Sequence, residues 1–74
     1  MESVFEKTFY IGGANDRATM QVDFREDNTY LAYIMDDNGM HYKKVFKQKP
    51  AAIKYVVKEA HSKYMKMASR YAFE

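Results

Sequence analysis

The sequence contains no cysteine and no tryptophan, and it has only one proline and three glycines in 74 residues. Without cysteine there is no disulfide and no thiolate metal site, which points to a reducing compartment or to indifference to redox conditions. A chain of this length buries only about 60% of the surface that it exposes when unfolded. We therefore expect one small domain, residues 1–74, that completes its core by dimerising or by docking on a partner.

Long apolar runs and a secretory pattern are also missing. No stretch approaches the roughly 18 apolar residues that are needed to cross a bilayer. Residues 1–4 have neither the basic region nor the apolar region of a secretory signal. The sequence therefore predicts a cytoplasmic protein without a membrane partner.

Charge is distributed unevenly along the chain. Residues 1–39 hold three basic and eight acidic side chains, a net of −5, whereas residues 40–74 hold nine basic and two acidic side chains, a net of +7. This asymmetry indicates either an anionic partner for the basic half or mutual neutralisation of the halves, within the fold or head-to-tail between copies. The sequence leaves both explanations open.

Hydrophobic alternation and β-forming residues predict four strands, over residues 4–11, 18–25, 29–35 and 40–47, with turns at residues 12–16, 26–28 and 36–39. The third strand is apolar on both faces, which is typical of a central strand. Asn38-Gly39 predicts a tight hairpin with both residues at positive φ. Strict alternation in the last strand would separate one face, Met40, Tyr42, Lys44 and Phe46, from the other, His41, Lys43, Val45 and Lys47.

A helix of roughly five to six turns is expected from Pro50, because apolar residues then recur at steps of three and four. The predicted class is α+β, an antiparallel sheet of three to four strands followed by one long C-terminal helix. The helix must cover one sheet face. The other face is then a binding surface or a dimer interface. The candidate interface residues are Leu31, Tyr33 and Met35 on the sheet and Tyr64, Met67 and Tyr71 on the helix.

Catalytic, cofactor and metal signatures are not found. Asp36-Asp37-Asn38-Gly39 lacks the spaced carboxylates of a calcium loop, and Gly12-Gly13 is not followed by the lysine of a phosphate loop. There is no cysteine nucleophile, and no serine lies in a recognisable nucleophile elbow. We expect a protein that is not an enzyme and binds neither cofactor nor metal.

The best functional signal is a basic stretch that runs from the last strand into the helix. Lysines placed along one face neutralise phosphates and release counterions, and the aromatic rings of Tyr33, Tyr42 and His41 are interleaved with them and could stack on bases. The alternative is a solvated surface with edge lysines that deter aggregation. The predicted nucleic-acid-binding residues are Arg25, Tyr33, His41, Lys43, Lys44, Lys47 and Lys49.

Residues 24–60 resemble the three-stranded-sheet-plus-helix DNA-binding domains of plant ethylene-response factors and of the arm-binding N-termini of tyrosine integrases. The shared features, in order, are Tyr30-x-Ala32-x-Ile34, Asn38-Gly39, Phe46 and Ala51-Ala52. The resemblance implies that Ala32 and Ile34 face the helix while the opposite sheet face enters the major groove of DNA. The groove-facing set that it implies is Arg25, Leu31, Tyr33, His41, Lys43 and Lys47.

The order of elements is also similar to that of coactivator-like single-stranded-DNA-binding proteins, and this similarity implies a dimer that grips DNA on its sheet. Two hypotheses follow. The first is a non-enzymatic nucleic-acid-binding domain, with DNA a more suitable ligand than RNA. The second is a protein-interaction module, such as a phage or mobile-element accessory that inhibits or recruits a host protein through its apolar sheet face. A homodimer is compatible with both.

Overall fold

The computed structural model describes residues 1–10 and 17–64. Four antiparallel strands form one sheet in the order β1-β2-β3-β4, and one helix follows them. The elements are β1 (Glu2–Tyr10), β2 (Arg17–Phe24), β3 (Tyr30–Asp36), β4 (Gly39–Phe46) and α1 (Lys49–Tyr64). The predicted α+β class and element order are thus confirmed. The predicted loop at residues 12–16 and the predicted helix beyond Tyr64, with Met67 and Tyr71, lie outside the described residues.

The core lies between the sheet and α1. Alternate residues of β2 and β3 point toward the helix and are fully or almost fully buried, as the period of two predicts. The helix packs over β2, β3 and β4 with a narrow stripe of small residues, because alanine at two of three turns lets the backbones approach closely. Each large side chain in this core contributes about 1.5–3 kcal/mol. The core residues are Phe9, Ala18, Met20, Val22, Ala32, Ile34, Ala52, Val56 and Ala60.

The predicted turn between β2 and β3 is present and is stabilised by local hydrogen bonds. The Arg25 amide donates to the carbonyl of Thr29 at 2.8 Å, and the Asn28 amide donates to the carbonyl of Arg25 at 3.0 Å. Asn28 has a φ of 67°, which asparagine tolerates. The Asp27 carboxylate accepts hydrogen bonds from the hydroxyl and the amide of Thr29, and the hydroxyl bond in particular lowers the pKa of Asp27.

The hairpin between β3 and β4 has the predicted position but not the predicted turn. Asp36 pairs with Gly39, so the loop consists of Asp37 and Asn38. Gly39 has a φ of 111°, whereas Asn38 is not at positive φ. The expectation of two central residues at positive φ is therefore wrong. The Asp36 carboxylate accepts a hydrogen bond from the Asn38 amide at 2.8 Å, which stabilises this alternative turn.

A β-bulge in β4 overturns the strict alternation that was expected there. Ile34 pairs with His41 and Ala32 pairs with Lys44, so Tyr33 lies opposite two residues, Tyr42 and Lys43. Tyr42 has a φ of 58°. The extra residue shifts the phase of the pleat. As a result Met40 lies on the face away from the helix, beside Met35, whereas Phe46 pairs with Tyr30 on the helix face.

β1 and β4 are the two edges of the sheet. With adjacent strands spaced about 4.8 Å apart, these edges are separated by roughly 14 Å. In the ranges that the structure describes, no helix is long and apolar enough to cross a membrane.

Candidate nucleic-acid interface

The sheet face away from α1, here called the open face, carries an apolar strip on β3 and β4. Leu31 pairs with Val45, and Met35 pairs with Met40. Met35, Met40 and Val45 are 39%, 40% and 47% exposed. Leu31 and Met35 were expected on this face. Met40 and Val45 extend the strip, and the bulge is the reason that Met40 could not be placed by alternation.

Tyr33 lies on the open face but is only 4% exposed. Its hydroxyl donates to Asp23 Oδ2 at 2.8 Å, and the Gln21 amide donates to Asp23 Oδ1 at 3.2 Å. Burial, followed by the hydrogen bond to Asp23 and the charges of Asp23 and Glu6, raises the pKa of Tyr33 to about 12. The covered ring of Tyr33 and its internally bonded hydroxyl disfavour the expectation that it stacks on a base or anchors a partner.

His41 belongs to a network that joins the β3–β4 hairpin to the last turn of the helix. Its Nε2 lies 2.9 Å from Asp36 Oδ1, and the Tyr64 hydroxyl donates to Asp36 Oδ2 at 3.3 Å. Because the bulge places His41 opposite Ile34, the side chain lies on the helix side of the sheet. The implied groove-facing position of His41 is therefore wrong.

The same network shifts two pKa values. Burial raises the pKa of Asp36, but the hydrogen bonds from the Asn38 amide and the His41 ring outweigh it, and the net pKa of Asp36 is lowered. Burial, with the neighbouring Asp36 charge, raises the pKa of Tyr64 to about 12. Tyr64 also packs edge-on against Phe9 at a centroid distance of 5.4 Å. It therefore connects the helix to the core rather than offering a free interface.

The lysines of the predicted binding stretch are divided between surfaces. Lys44 lies on the helix side, with Nζ 5.5 Å from the ring centroid of Phe46 and 5.4 Å from that of Tyr55. Lys43 alternates with it and lies with Val45 on the open-face side. The structure therefore does not bring these two neighbours together on one binding face.

Lys47, Lys49 and Arg25 lie at one end of the sheet. Tyr30 pairs with both Phe24 and Phe46, so the residues that follow those two, Arg25 and Lys47, leave the sheet at the same end. Lys47 and Lys49 are exposed and Arg25 is partly exposed. Of the predicted nucleic-acid-binding residues, these three are the ones that the fold brings together at one end of the sheet.

The line of contact between β4 and α1, here called the β4–α1 seam, contains functional candidates that the sequence-based set omitted. Tyr42 is 39% exposed, and its ring meets that of Tyr64 edge-on at 6.3 Å. Lys63 Nζ lies 5.9 Å from the Tyr42 centroid. Tyr55 donates its hydroxyl hydrogen to the carbonyl of Tyr42 at 3.0 Å. The interleaving of tyrosine with lysine in β4 can be read from the sequence. Nothing in the sequence around Tyr55 and Lys63 indicates that these helix residues contact Tyr42.

The main electrostatic feature of the described residues is that the lysines of β4, of α1 and of the link between them form no ion pair with a carboxylate. The lysines of β4 and α1 have no carboxylate within 4.0 Å among residues 1–10 and 17–64, and Glu59 is the only acid in residues 40–64. The β1 acids Glu2 and Glu6 lie at the opposite edge, beyond the Debye length of about 8 Å at physiological salt, whereas Asp36 lies at the β3–β4 hairpin. Neutralisation of the β4 and α1 lysines by the acids of β1 is therefore disfavoured. The lysines concerned are Lys43, Lys44, Lys47, Lys49, Lys54, Lys58 and Lys63.

The outer side of α1 extends this positive surface. A shallow groove along the helix has an apolar floor formed by Pro50, Ile53 and Val57, and lysines form its rim. Lys54 and Lys58 line this groove and are exposed, and lysines in such positions commonly cover apolar surface with their stems and keep their ammonium groups in water. In the part of the chain that the structure describes, no group of three or more metal-ligating side chains is assembled.

Comparison of the chain with protein-family models, with curated proteins and with solved structures finds no match in any of the three.

Proposed function

We propose that this protein is a non-enzymatic nucleic-acid-binding domain whose basic surface, formed by β4 and α1, holds the phosphate backbone. The observation that carries the proposal is the separation of charge. Among the described residues, exposed lysines with no carboxylate within 4.0 Å gather on β4 and α1, while the acids of β1 lie at the opposite edge of the sheet. Uncompensated lysines along one surface bind phosphates and release counterions.

The start of α1 adds to this positive potential. The first turn has no acidic residue, and it contains Lys49, with Lys47 two residues before it. Lysine is unfavourable there, because the amides at a helix N-terminus already carry a partial positive charge. Lysine at this position thus lowers the stability of the helix start and at the same time adds to a surface that attracts anions.

The open face is less suited to binding nucleic acid than the basic stretch of the sequence predicts. It carries the carboxylates of Glu6 and Asp23 at one side and an apolar strip at the other, with Tyr33 buried between them. Carboxylates repel phosphate. The proposed contact with nucleic acid therefore lies at the β4–α1 seam and on the outer side of the helix, and not on the sheet face.

Fluorescence anisotropy with labelled single-stranded and double-stranded DNA and RNA tests the proposal at about 50 and 200 mM salt. We expect affinity to fall across this range. Lys47→Gln should reduce the slope of log affinity against log salt by about one. Arg17→Gln, which removes an exposed positive charge from β2, serves as the control and should leave the slope unchanged. Equal slopes for both variants and the parent protein would contradict the proposal.

A second candidate function, self-association through the open face, is favoured by a different observation. Glu6 pairs with Gln21, Gln21 pairs with Tyr33, and Lys43 lies opposite Tyr33. Glu6 and Lys43 are therefore the two ends of one row across the sheet. A two-fold axis parallel to the strands would place Lys43 of each copy over Glu6 of the other, so the partner that this face fits is a second copy.

Sedimentation velocity of charge variants tests this second candidate. Glu6→Lys or Lys43→Glu alone should weaken a dimer, because each places like charges together. The double variant should restore the dimer, because the two charges are exchanged. A parent protein that stays monomeric at all concentrations, or a double variant as weak as the single variants, would exclude it.

A further inference from the structure

Tyr42 is held in a backbone conformation that its side chain disfavours. Its φ is 58°, and among the described residues Asn28 is the only other non-glycine at positive φ. Asn28 lies in a tight turn, where asparagine is well tolerated, whereas a bulky side chain in this region is an outlier. Strain of this kind persists only where the surrounding structure enforces it, and it is common at functional sites.

The strained bulge changes where the Tyr42 ring lies. Without the bulge, alternation from Met40 would place the ring on the open face of the sheet. Instead it lies next to α1, with its centroid 6.0 Å from that of His41 and 6.3 Å from that of Tyr64. Its carbonyl accepts the Tyr55 hydrogen bond at 3.0 Å. The helix thus supports a conformation that leaves Tyr42 39% exposed.

Positive charge lies over and near this ring. Lys63 Nζ lies over the Tyr42 ring, 5.9 Å from its centroid, and Lys44 follows two residues later in the same strand, over Tyr55. An exposed aromatic ring with lysines beside it is the arrangement by which proteins hold single strands, the ring stacking on a base and the lysines following the backbone. In a duplex the bases are paired and stacked on one another, and presenting one to a side chain requires unstacking it.

From this geometry we infer that Tyr42 is the base-stacking residue for single-stranded nucleic acid bound at the β4–α1 seam. The inference rests on the proposed function and specifies its ligand: an unpaired strand rather than a duplex. The lysines provide affinity for phosphate of either form, and Tyr42 provides the preference for unpaired bases.

Two substitutions of Tyr42 distinguish the contribution of the ring from that of the backbone conformation. Tyr42→Asn removes the ring and keeps a residue that tolerates positive φ, and Tyr42→Phe keeps the ring and removes the hydroxyl. The probes are fluorescein-labelled oligo(dT) and its duplex with oligo(dA). We expect Tyr42→Asn to weaken oligo(dT) binding by about 5- to 150-fold and duplex binding by less than about 2-fold. Tyr42→Phe should bind both probes like the parent protein.

Two results would overturn the inference: oligo(dT) affinity that Tyr42→Asn leaves unchanged, or a loss of equal size for both probes. Failure of the proposed function has a different signature. If Lys47→Gln changes the salt dependence of neither probe, the phosphate-binding surface itself is wrong. If the lysine dependence is present and Tyr42→Asn has no effect, only the stacking is wrong.

A spectroscopic variant keeps the test decisive if Tyr42→Asn fails to fold. The sequence has no tryptophan, so Tyr42→Trp introduces a single indole at the proposed stacking position. Stacking on a base should quench its emission when oligo(dT) is added, and the duplex should quench it much less. Emission that stays constant at saturating oligo(dT), with binding verified by anisotropy, would contradict the inference.

Discussion

Tyr55 in the middle of α1 donates its phenol hydrogen to the backbone carbonyl of Tyr42 in the edge strand, at 3.0 Å. This bond joins the helix to the strained residue of the β4 bulge. The Tyr55 ring also packs against Phe46 at a centroid distance of 5.2 Å. The bulge is therefore supported from the helix, which links the packing of the core to the exposure of the candidate stacking residue.

Tyr55→Phe should destabilise the fold by about 0.5–1.5 kcal/mol, because it deletes this hydrogen bond and keeps the ring. We expect the value to be near the low end, since water can reach the exposed carbonyl. Urea unfolding followed by circular dichroism measures the change. Tyr30→Phe is the matched control, because the Tyr30 hydroxyl makes no hydrogen bond within the described residues. Equal losses in the two variants would show that the bond to Tyr42 contributes nothing.

Tyr33→Phe should cost about 1 kcal/mol of stability, because the buried Tyr33 hydroxyl is a direct partner of Asp23. Nucleic-acid affinity should not change, since the ring is covered in the folded protein. Urea unfolding and anisotropy on the same preparation test both parts. A marked loss of binding from a variant that is folded would restore Tyr33 to the binding site.

The same residue predicts a stability loss at alkaline pH. Burial raises the folded-state pKa of Tyr33 to about 12, above the unfolded value of about 10. Its contribution is therefore fully present below pH 10 and is lost as pH rises from 10 to about 12. Tyr64 behaves in the same way. The urea midpoint should fall across this window, and it should fall less in Tyr33→Phe; identical profiles would contradict the assignment.

From the hydrogen bonds of Asp36 we expect a loss of stability at acid pH. Its burial raises its pKa, but the bonds from the Asn38 amide and the His41 ring give a net pKa below the ordinary 3.8. A carboxylate with a lowered folded-state pKa stabilises the fold above its unfolded pKa, and this contribution is lost as pH falls through the folded value. Asp36→Asn should be less stable at neutral pH, by roughly 1 kcal/mol.

The acid profile distinguishes this effect from a general loss of packing. Between about pH 5 and pH 2 the parent protein should lose more stability than Asp36→Asn, because the variant has no carboxylate to protonate. Urea midpoints measured across this range test the difference. Parallel curves would show that Asp36 does not contribute to the acid dependence.

Lys49→Glu should raise the stability of the fold and lower its affinity for nucleic acid. It places a negative charge in the first turn of α1, which has no acidic residue, and the helix dipole should then stabilise the fold by about 0.3–1 kcal/mol. Nucleic-acid affinity should fall, because a phosphate-attracting cation becomes an anion. Thermal unfolding and anisotropy measure the two effects.

Lys63→Glu is the companion variant later in the same helix. Lys63 Nζ lies over the Tyr42 ring, so its reversal should lower stability by removing this cation–π contact while also lowering affinity. Opposite stability changes with a shared loss of binding are the expected pattern. If affinity followed stability in both variants, the lysines would act through the fold and not through contact with phosphate.

Local periodicity determined the order of the elements and the inner face of the sheet. Ala18, Met20 and Val22 alternate in β2 and lie in the core, as their alternation predicted, and Ala32 and Ile34 lie under the helix. Pro50 and the three- and four-residue spacing located the helix. These features depend on residues close together in the sequence, so a single sequence carries them.

Tertiary packing decided the candidate site. Tyr33 is buried through Asp23, ten residues away, and His41 lies on the helix side of the sheet because the bulge has shifted the phase of the pleat. No glycine or asparagine marks Tyr42, and its strain, which costs on the order of 1–3 kcal/mol, is supported by Tyr55, thirteen residues later. Alternation alone determined which strands form. Contacts across the β4–α1 seam determined which side chains they expose, because those contacts must offset a strain that local preference would avoid.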